Sequence, residues 1–389
     1  MPTDTSARLK SLPTYVFALI EKTKEEARAK GIDLIDLSMG NPNLPVPKPI
    51  IDRMVQALQS PENMRYPTFD GKLAFRNAVS KWYKDRYNVD LDPQNEVLPL
   101  IGSKEGLAHL AYAYIDTDDV TIAPNPCYPV HARGTLLAGG TVHYLPIGPE
   151  NNYIPDYKSI PDHILKKTKL FIVSYPSNPT TAVAPREFFE GLVEWAKDKN
   201  IILVNDLAYA ELAFDGYKPT SILEIPGAKD FSIEFHTMSK TYSMAGWRVG
   251  FAIGNKNIIK ALYNIKSNMD YGLFPAVQEA AIAALELPQS YIDEICDQYK
   301  ARRDALIDGL NSIGWNIEKP KATMYCWIPV PKGYTSAQFC EKALAAGVVF
   351  SPGNGFGSNG EGYVRASLIV EPAKLKEAVE RLKKANLTY

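Results

Sequence analysis

Hydrophobic residues fall along this chain in short blocks separated by amphipathic stretches. VLPLIG (97–102), VTIAP (120–124), LFIVSYP (170–176), IILVND (201–206), FSIEFHTMS (231–239) and VGFAIG (249–254) read as strands. Several of these runs are continuously apolar rather than alternating, as in strands buried on both faces of a mainly parallel, helix-covered sheet. Between them lie patterns of helical period: SKEGLAHLAYAYI after the first, ARGTLLAGG after the second, and PREFFEGLVEWAKDKN after the third, with Pro185 near its first turn. The order predicts an α/β fold.

The ends of the chain read differently. Residues 5–30 form an amphipathic helical arm interrupted at Pro13, residues 32–40 a short strand stopped by Gly40-Asn41-Pro42, and residues 48–58 a helix. Helices fill 257–287, and beyond Tyr291 the composition becomes more charged and the order α+β. A boundary is placed near 286–291. The expected organisation is an N-terminal arm with part of a small domain (1–47), a large domain (48–288) and a C-terminal small domain (289–389). The arm is expected to pack with the C-terminal part. At 389 residues, about two to three domains is the length expectation.

Composition mainly excludes. Lys plus Arg number 43 and Asp plus Glu 44, a net charge of −1 that lacks the cationic footprint of a sequence-independent nucleic-acid binder. Cys127, Cys296, Cys326 and Cys340 contain no CxxC pair, and the histidines no HExxH, so neither a disulfide framework nor a metal site is expected. The apolar run at Tyr15–Ile20 is too short for a signal-peptide core, and no stretch reaches the length of a membrane span. A folded cytoplasmic protein working on something small or on a specific partner is the expectation. Proline is abundant, 29 residues against 25 glycines, in phrases such as NPNLPVPKP, APNPCYP and SYPSNP that follow strand-like runs.

One apparent motif is a decoy. GFGSNG (355–360) matches GxGxxG, yet a strand pattern follows it where a dinucleotide site needs a helix. It reads as a glycine turn joining two strands. SKTYSMAGWR (239–248) is more informative: Lys240 ends an apolar strand among Thr237, Ser239, Thr241 and Ser243, with Arg248 eight residues on. A desolvated lysine becomes a nucleophile toward aldehydes, and hydroxyls plus an arginine suit a phosphate monoester. Other strand ends carry complementary groups. Ser103 and Lys104 open a helix able to hold phosphate, and Asp206 is a carboxylate suited to a pyridinium N–H. Tyr209 and Asn178 are donors, and Tyr128 is a ring able to stack on a planar cofactor.

Together these phrases resemble the pyridoxal-phosphate-dependent aminotransferases of fold type I, class I/II, from SMGNPNLP to VRASL. The resemblance implies the fold of that family and pyridoxal 5′-phosphate as cofactor. It implies Lys240 as Schiff-base lysine and proton shuttle, and Asp206 as partner of the ring nitrogen. Asn178 and Tyr209 are then donors to the ring 3′ oxygen and Tyr128 the stacking ring. Ser103, Lys104, Thr237, Ser239 and Arg248 form the phosphate cup. Tyr66 resembles a tyrosine that reaches the neighbouring subunit's phosphate, implying a homodimer with shared sites. Arg365 resembles the clamp on the substrate α-carboxylate, with Gly40 nearby, and Tyr15 lines either the substrate pocket or the core of the arm. The implied reaction moves an amino group from an L-amino acid to a 2-oxo acid by a ping-pong mechanism.

No arginine occurs between Arg248 and Arg302, where some dicarboxylate-specific relatives carry one; Tyr271 and Phe274 occupy that region. The phrasing is similar to the alanine, methionine and LL-diaminopimelate branch. A carbon–sulfur lyase on the same scaffold is the alternative. An effector-sensing regulator is disfavoured, since no helix-turn-helix fits before the core phrase.

Overall fold

A computed structural model describes residues 4–13 and 15–389. The described residues include twelve strands: β1 (Ile35–Asp36), β2 (Val97–Leu100), β3 (Val120–Asn125), β4 (Thr141–Pro146), β5 (Thr168–Val173), β6 (Ile202–Asp206), β7 (Ser232–Thr237), β8 (Gly250–Gly254), β9 (Tyr325–Pro329), β10 (Val348–Val349), β11 (Ser351–Pro352) and β12 (Tyr363–Ser367). Seven of them form one sheet in the order β2-β8-β7-β6-β5-β3-β4. Only β8 runs against its neighbours, β2 and β7; the other pairs are parallel. β2, β3 and β7 are almost wholly buried, as their unbroken apolar content requires once helices cover both faces.

Two apolar cores flank this sheet. On one face Phe75, Val79, Phe171, Leu203, Phe251 and Ile253 pack beneath helices Leu73–Tyr87, Arg186–Ala196 and Pro275–Leu285. On the other, Leu100, Leu107, Ile172, Val204, Phe235 and Leu262 pack beneath helices Ser103–Tyr114 and Lys256–Met269. The helix expected over 48–58 spans Lys48–Leu58. The helical stretch expected over 257–287 is interrupted at 270–274, where Asp270 ends one helix in extended backbone and Pro275 opens the next.

The remaining strands make a three-stranded antiparallel sheet, β11-β12-β9, and the parallel pair β1-β10. Their core contains Leu37, Tyr299, Leu306, Leu310, Ile328, Phe339, Val364 and Val379, of which helix Gln289–Ser312 supplies Tyr299, Leu306 and Leu310. The strand expected over 32–40 is a correction: only Ile35–Asp36 is strand, opposite Val348–Val349, tied by bonds from Ile35 N to the Gly347 carbonyl and from Leu37 N to the Val349 carbonyl. Leu37 is buried at its end, and its carbonyl accepts from the Ser367 nitrogen at 2.7 Å. The arm is two helices, Ala7–Lys10 and Val16–Ala29, broken around Pro13 as its fixed φ dictates. GFGSNG joins β11 to β12 through two short 3₁₀ turns, a connection between antiparallel strands with no phosphate-binding helix behind it.

Gly250 sits where sheet and site meet. A Cβ there would lie 2.5 Å from the His236 carbonyl oxygen and 3.1 Å from the Ser103 nitrogen, both backbone atoms unable to swing aside. Gly250→Val is therefore expected to cost about 1–3 kcal/mol of stability through overpacking and to weaken cofactor retention by displacing the start of helix Ser103–Tyr114. Denaturant midpoints and cofactor titration measure both; a variant matching the parent in each would show that β8 moves freely.

Candidate active site

Ligands of open α/β sheets collect at the carboxyl ends of the parallel strands. Here β2 delivers Ser103 and Lys104, β3 Tyr128, β5 Ser174 and Asn178, β6 Asp206 and Tyr209, and β7 Thr237, Ser239 and Lys240. Because β8 is reversed, the residue before it, Arg248, reaches the same edge. These groups line one cavity of about 530 Å³, closed from the other side by Tyr15, Gly40, Tyr325 and Arg365. Thus every site residue singled out in the sequence meets there except Tyr66, which is 83% exposed and stacks on Tyr271 at 4.8 Å.

At one end the cavity is made for an anion. Helix Ser103–Tyr114 begins after Gly102, whose φ of +85° favours glycine, leaving first-turn N–H groups without helical acceptors. A side chain at Gly102 would lie 2.5 Å from Arg248 Nη2, so the guanidinium stands against the helix start. Arg248 is itself braced by donating to the Ala245 carbonyl, 2.8 Å. Thr237 caps the short helix Met238–Thr241, accepting from the Ser239 nitrogen and donating to Ser239 Oγ at 2.9 Å. Backbone donors, hydroxyls and one arginine match a phosphate monoester.

In the middle stands Asp206, buried to 4% exposure. Its Oδ2 accepts from His131 Nε2 at 2.8 Å, while Oδ1 is buried and has no hydrogen-bond partner. A buried carboxylate oxygen left so is costly unless a donor arrives. A protonated ring nitrogen supplies that donor, so the residues present fit pyridoxal phosphate. His131 was not among the expected residues. Its signal was its place three residues after Tyr128, on one face of helix Val130–Ala138. Ser174, also unforeseen, donates to the Asp206 carbonyl at 2.8 Å.

Lys240 Nζ donates to the Gly40 carbonyl at 2.9 Å. Burial, then the positive charges of Arg365 and Arg248, hold its amine below the ordinary lysine value, with Tyr325 acting in the opposite sense. Burial, and after it Tyr325, push the Tyr209 hydroxyl well above the ordinary tyrosine value. Arg365, 1% exposed, donates to Asn178 Oδ1 at 2.8 Å and to the Ser38 carbonyl at 2.9 Å, bridging β12 to the loop after β5. At the mouth Tyr15 lines the cavity, and its ring carries Lys104 Nζ at 5.2 Å and the Arg133 guanidinium at 4.9 Å from its centroid.

Among the described residues one group has metal-ligating spacing away from this cavity: Glu105, His109 and Asp270. The buried Lys266 amine already lies between its carboxylates, 3.3 Å from Glu105 and 2.8 Å from Asp270. No described helix is long and apolar enough to cross a membrane.

Residues 32–382 match the family model for aminotransferase class I and II. An LL-diaminopimelate aminotransferase of Moorella thermoacetica is 50% identical over 97% of both chains, and one of Aquifex aeolicus is 48% identical over 98% of this chain and 99% of its own. Among solved structures, substrate-bound BacF from Bacillus subtilis superposes with a TM-score of 0.95 at 37% identity over 99% of both chains. An aminotransferase from Staphylococcus aureus gives 0.91 at 36% over 99% of this chain and 100% of its own. These matches lend the carbon–sulfur lyase alternative no support. The carboxylate oxygen awaiting a ring N–H and the anion cradle agree with these matches, and the chain belongs to the class I and II aminotransferases of fold type I, as a pyridoxal-phosphate-dependent enzyme that transfers amino groups.

Proposed function

We propose that this enzyme takes LL-diaminopimelate as amino donor. The observation that carries the proposal is the near full-length identity, 44–50%, to relatives bearing that activity. The lack of an arginine between Arg248 and Arg302 supports it against a simple dicarboxylate specificity.

The common lining of the cavity supports the following residue roles. Ser103 and Lys104 backbone groups, Thr237, Ser239 and Arg248 would hold the cofactor phosphate. Tyr128 would stack on the ring, Asn178 and Tyr209 would donate to its 3′ oxygen, and Asp206 would keep the ring nitrogen protonated. Bound in this way, pyridoxal phosphate is an electron sink for the bond broken at the substrate's α carbon. Lys240 would carry the cofactor, and its amine is held below the ordinary lysine value by burial and the two arginines. Its Nζ would hold the proton taken from the substrate's α carbon. Arg365 meets the α-carboxylate, fixing which bond faces Lys240, while Gly40 and Tyr15 shape the rest of the cavity.

Residues 48–288 are read as the large domain, and residues 1–47 with 289–389 as the small one; the β1–β10 pairing supports this division. The active form is read as a homodimer. Exposed Met64, Tyr66, Met269, Tyr271 and Phe274 form an aromatic face that a second copy would cover, carrying Tyr66 toward the partner's phosphate. Four free cysteines agree with a cytoplasmic setting.

Two outcomes test this reading. In a panel of amino acids, LL-diaminopimelate should discharge the lysine-bound cofactor's visible absorption with a kcat/KM at least about tenfold above alanine, aspartate, glutamate or methionine. Faster discharge by any of these overturns the substrate assignment. The second concerns Lys240. Its folded-state pKa lies below the unfolded one, so charging it penalises folding fully below the folded value. That penalty shrinks as pH rises between the two values and is gone above the ordinary lysine value. Cofactor-free Lys240→Met should therefore melt no lower than the parent at neutral pH, the difference closing in alkali. Calorimetry across pH reads this, and a pH-independent difference contradicts it.

A further inference from the structure

We propose that Tyr325 is a positioning residue of the active site, its ring holding the Arg365 guanidinium and its hydroxyl orienting Tyr209 and Lys240. The inference rests on the reading of Lys240 and Arg365 given above.

Strand register places it there. In the β9–β12 pair Tyr325 lies opposite Ser367 and Trp327 opposite Arg365, so Tyr325 and Arg365 are diagonal neighbours on one face of the sheet. The Arg365 guanidinium carbon stands 4.1 Å from the Tyr325 ring centroid, with Phe356 on another side at 4.7 Å. That contact steers the guanidinium by the charge distribution of the ring.

The hydroxyl end is equally constrained. A Cβ on Gly40 would fall 1.8 Å from Tyr325 Oη, so no other residue fits at position 40 while the tyrosine keeps this pose. The same glycine's carbonyl accepts from Lys240 Nζ. Tyr209 donates to the Tyr325 hydroxyl, and the two rings meet edge to face at 5.9 Å. Two residues earlier, buried Thr323 holds φ of +79°, a strained conformation for a β-branched residue, and its Oγ1 accepts from the Tyr325 nitrogen at 3.2 Å. The turn aims Tyr325 into the cavity.

The charged and titratable groups facing this hydroxyl are Lys240 and Tyr209 below, Arg365 beside it, Tyr299 behind it and Tyr128 across the cavity. Burial raises the Tyr325 pKa, but Arg365, Lys240 and the bond from Tyr209 bring it below the ordinary tyrosine value. In return, Tyr325 acts on Lys240 against the lowering effect of burial and the arginines.

Tyr325→Phe and Tyr325→Leu, both as holoenzyme, separate the two ends of the side chain. Tyr325→Phe keeps the ring: kcat should fall about tenfold while KM for the amino acid stays within about threefold. The pH midpoint of the substrate-free enzyme's visible absorption should also fall, by about half a unit or more, as Lys240 loses the hydroxyl that favours its charged form and Tyr209 its competing acceptor. Tyr325→Leu should add a rise of about tenfold in KM and in the dissociation constant of an unreactive carboxylic acid, as Arg365 loses its support. An unchanged kcat and midpoint in Tyr325→Phe, or an unchanged carboxylate affinity in Tyr325→Leu, overturns the proposal. A parent enzyme without the lysine-dependent absorption band would instead overturn the reading of Lys240. Should Tyr325→Leu fail to fold, Tyr325→Phe alone still decides the hydroxyl's part.

Discussion

One strand running against six sets what the rest of the molecule can do. Parallel strands bring their carboxyl ends to a common edge, so β2, β3, β5, β6 and β7 each release a loop at the same rim. Reversing β8 brings its entrance to that rim as well, and with it Arg248. Had β8 been parallel, Arg248 would lie at the far edge of the sheet, about 15 Å away for five residues of strand. Gly250 and Gly102 then let backbone, helix start and guanidinium approach closely enough for a phosphate to touch all three.

The energetics of the cavity make sense only with its occupants. Asp206 and Arg365 are nearly inaccessible, and burial with the two arginines holds the Lys240 amine below the ordinary lysine value. Half-satisfied polar networks in a low dielectric are costly. His131 meets one Asp206 oxygen and leaves the other waiting, and Asn178 with the Ser38 carbonyl hold Arg365 by neutral acceptors. A ligand that completes such a network stabilises the fold in proportion to the logarithm of its saturation, so cofactor binding and folding stability are linked through these few atoms.

Much of this was legible beforehand, for identifiable reasons. Strands buried on both faces read as unbroken apolar runs, and helix Lys48–Leu58 showed its period and its Pro49 at the first turn. Lys240, Asp206 and Arg248 stood out because charge at the end of an apolar run has few structural uses. His131 and Tyr325 did not stand out. Periodicity says which face of an element is buried, yet it is silent on which buried side chain another element approaches. His131 meets Asp206 across 75 residues, and Tyr325 meets Gly40 across a domain-scale separation. Residues 32–40 were over-read as strand because apolar alternation marks burial, while a ladder also needs a partner, and β10 offers only two residues.

The overall charge of −1 gives no long-range pull on anionic ligands, so attraction must be local. Among the described residues lining the cavity, Lys104, Lys240, Arg248 and Arg365 are cationic and Asp206 alone is acidic. Arg248 stands against the start of helix Ser103–Tyr114 and Arg365 against Asn178, so each of two anionic groups can meet its own cation. The same two arginines weaken the charge of the Lys240 amine, so the groups that attract the ligands also tune the lysine between burial and solvent.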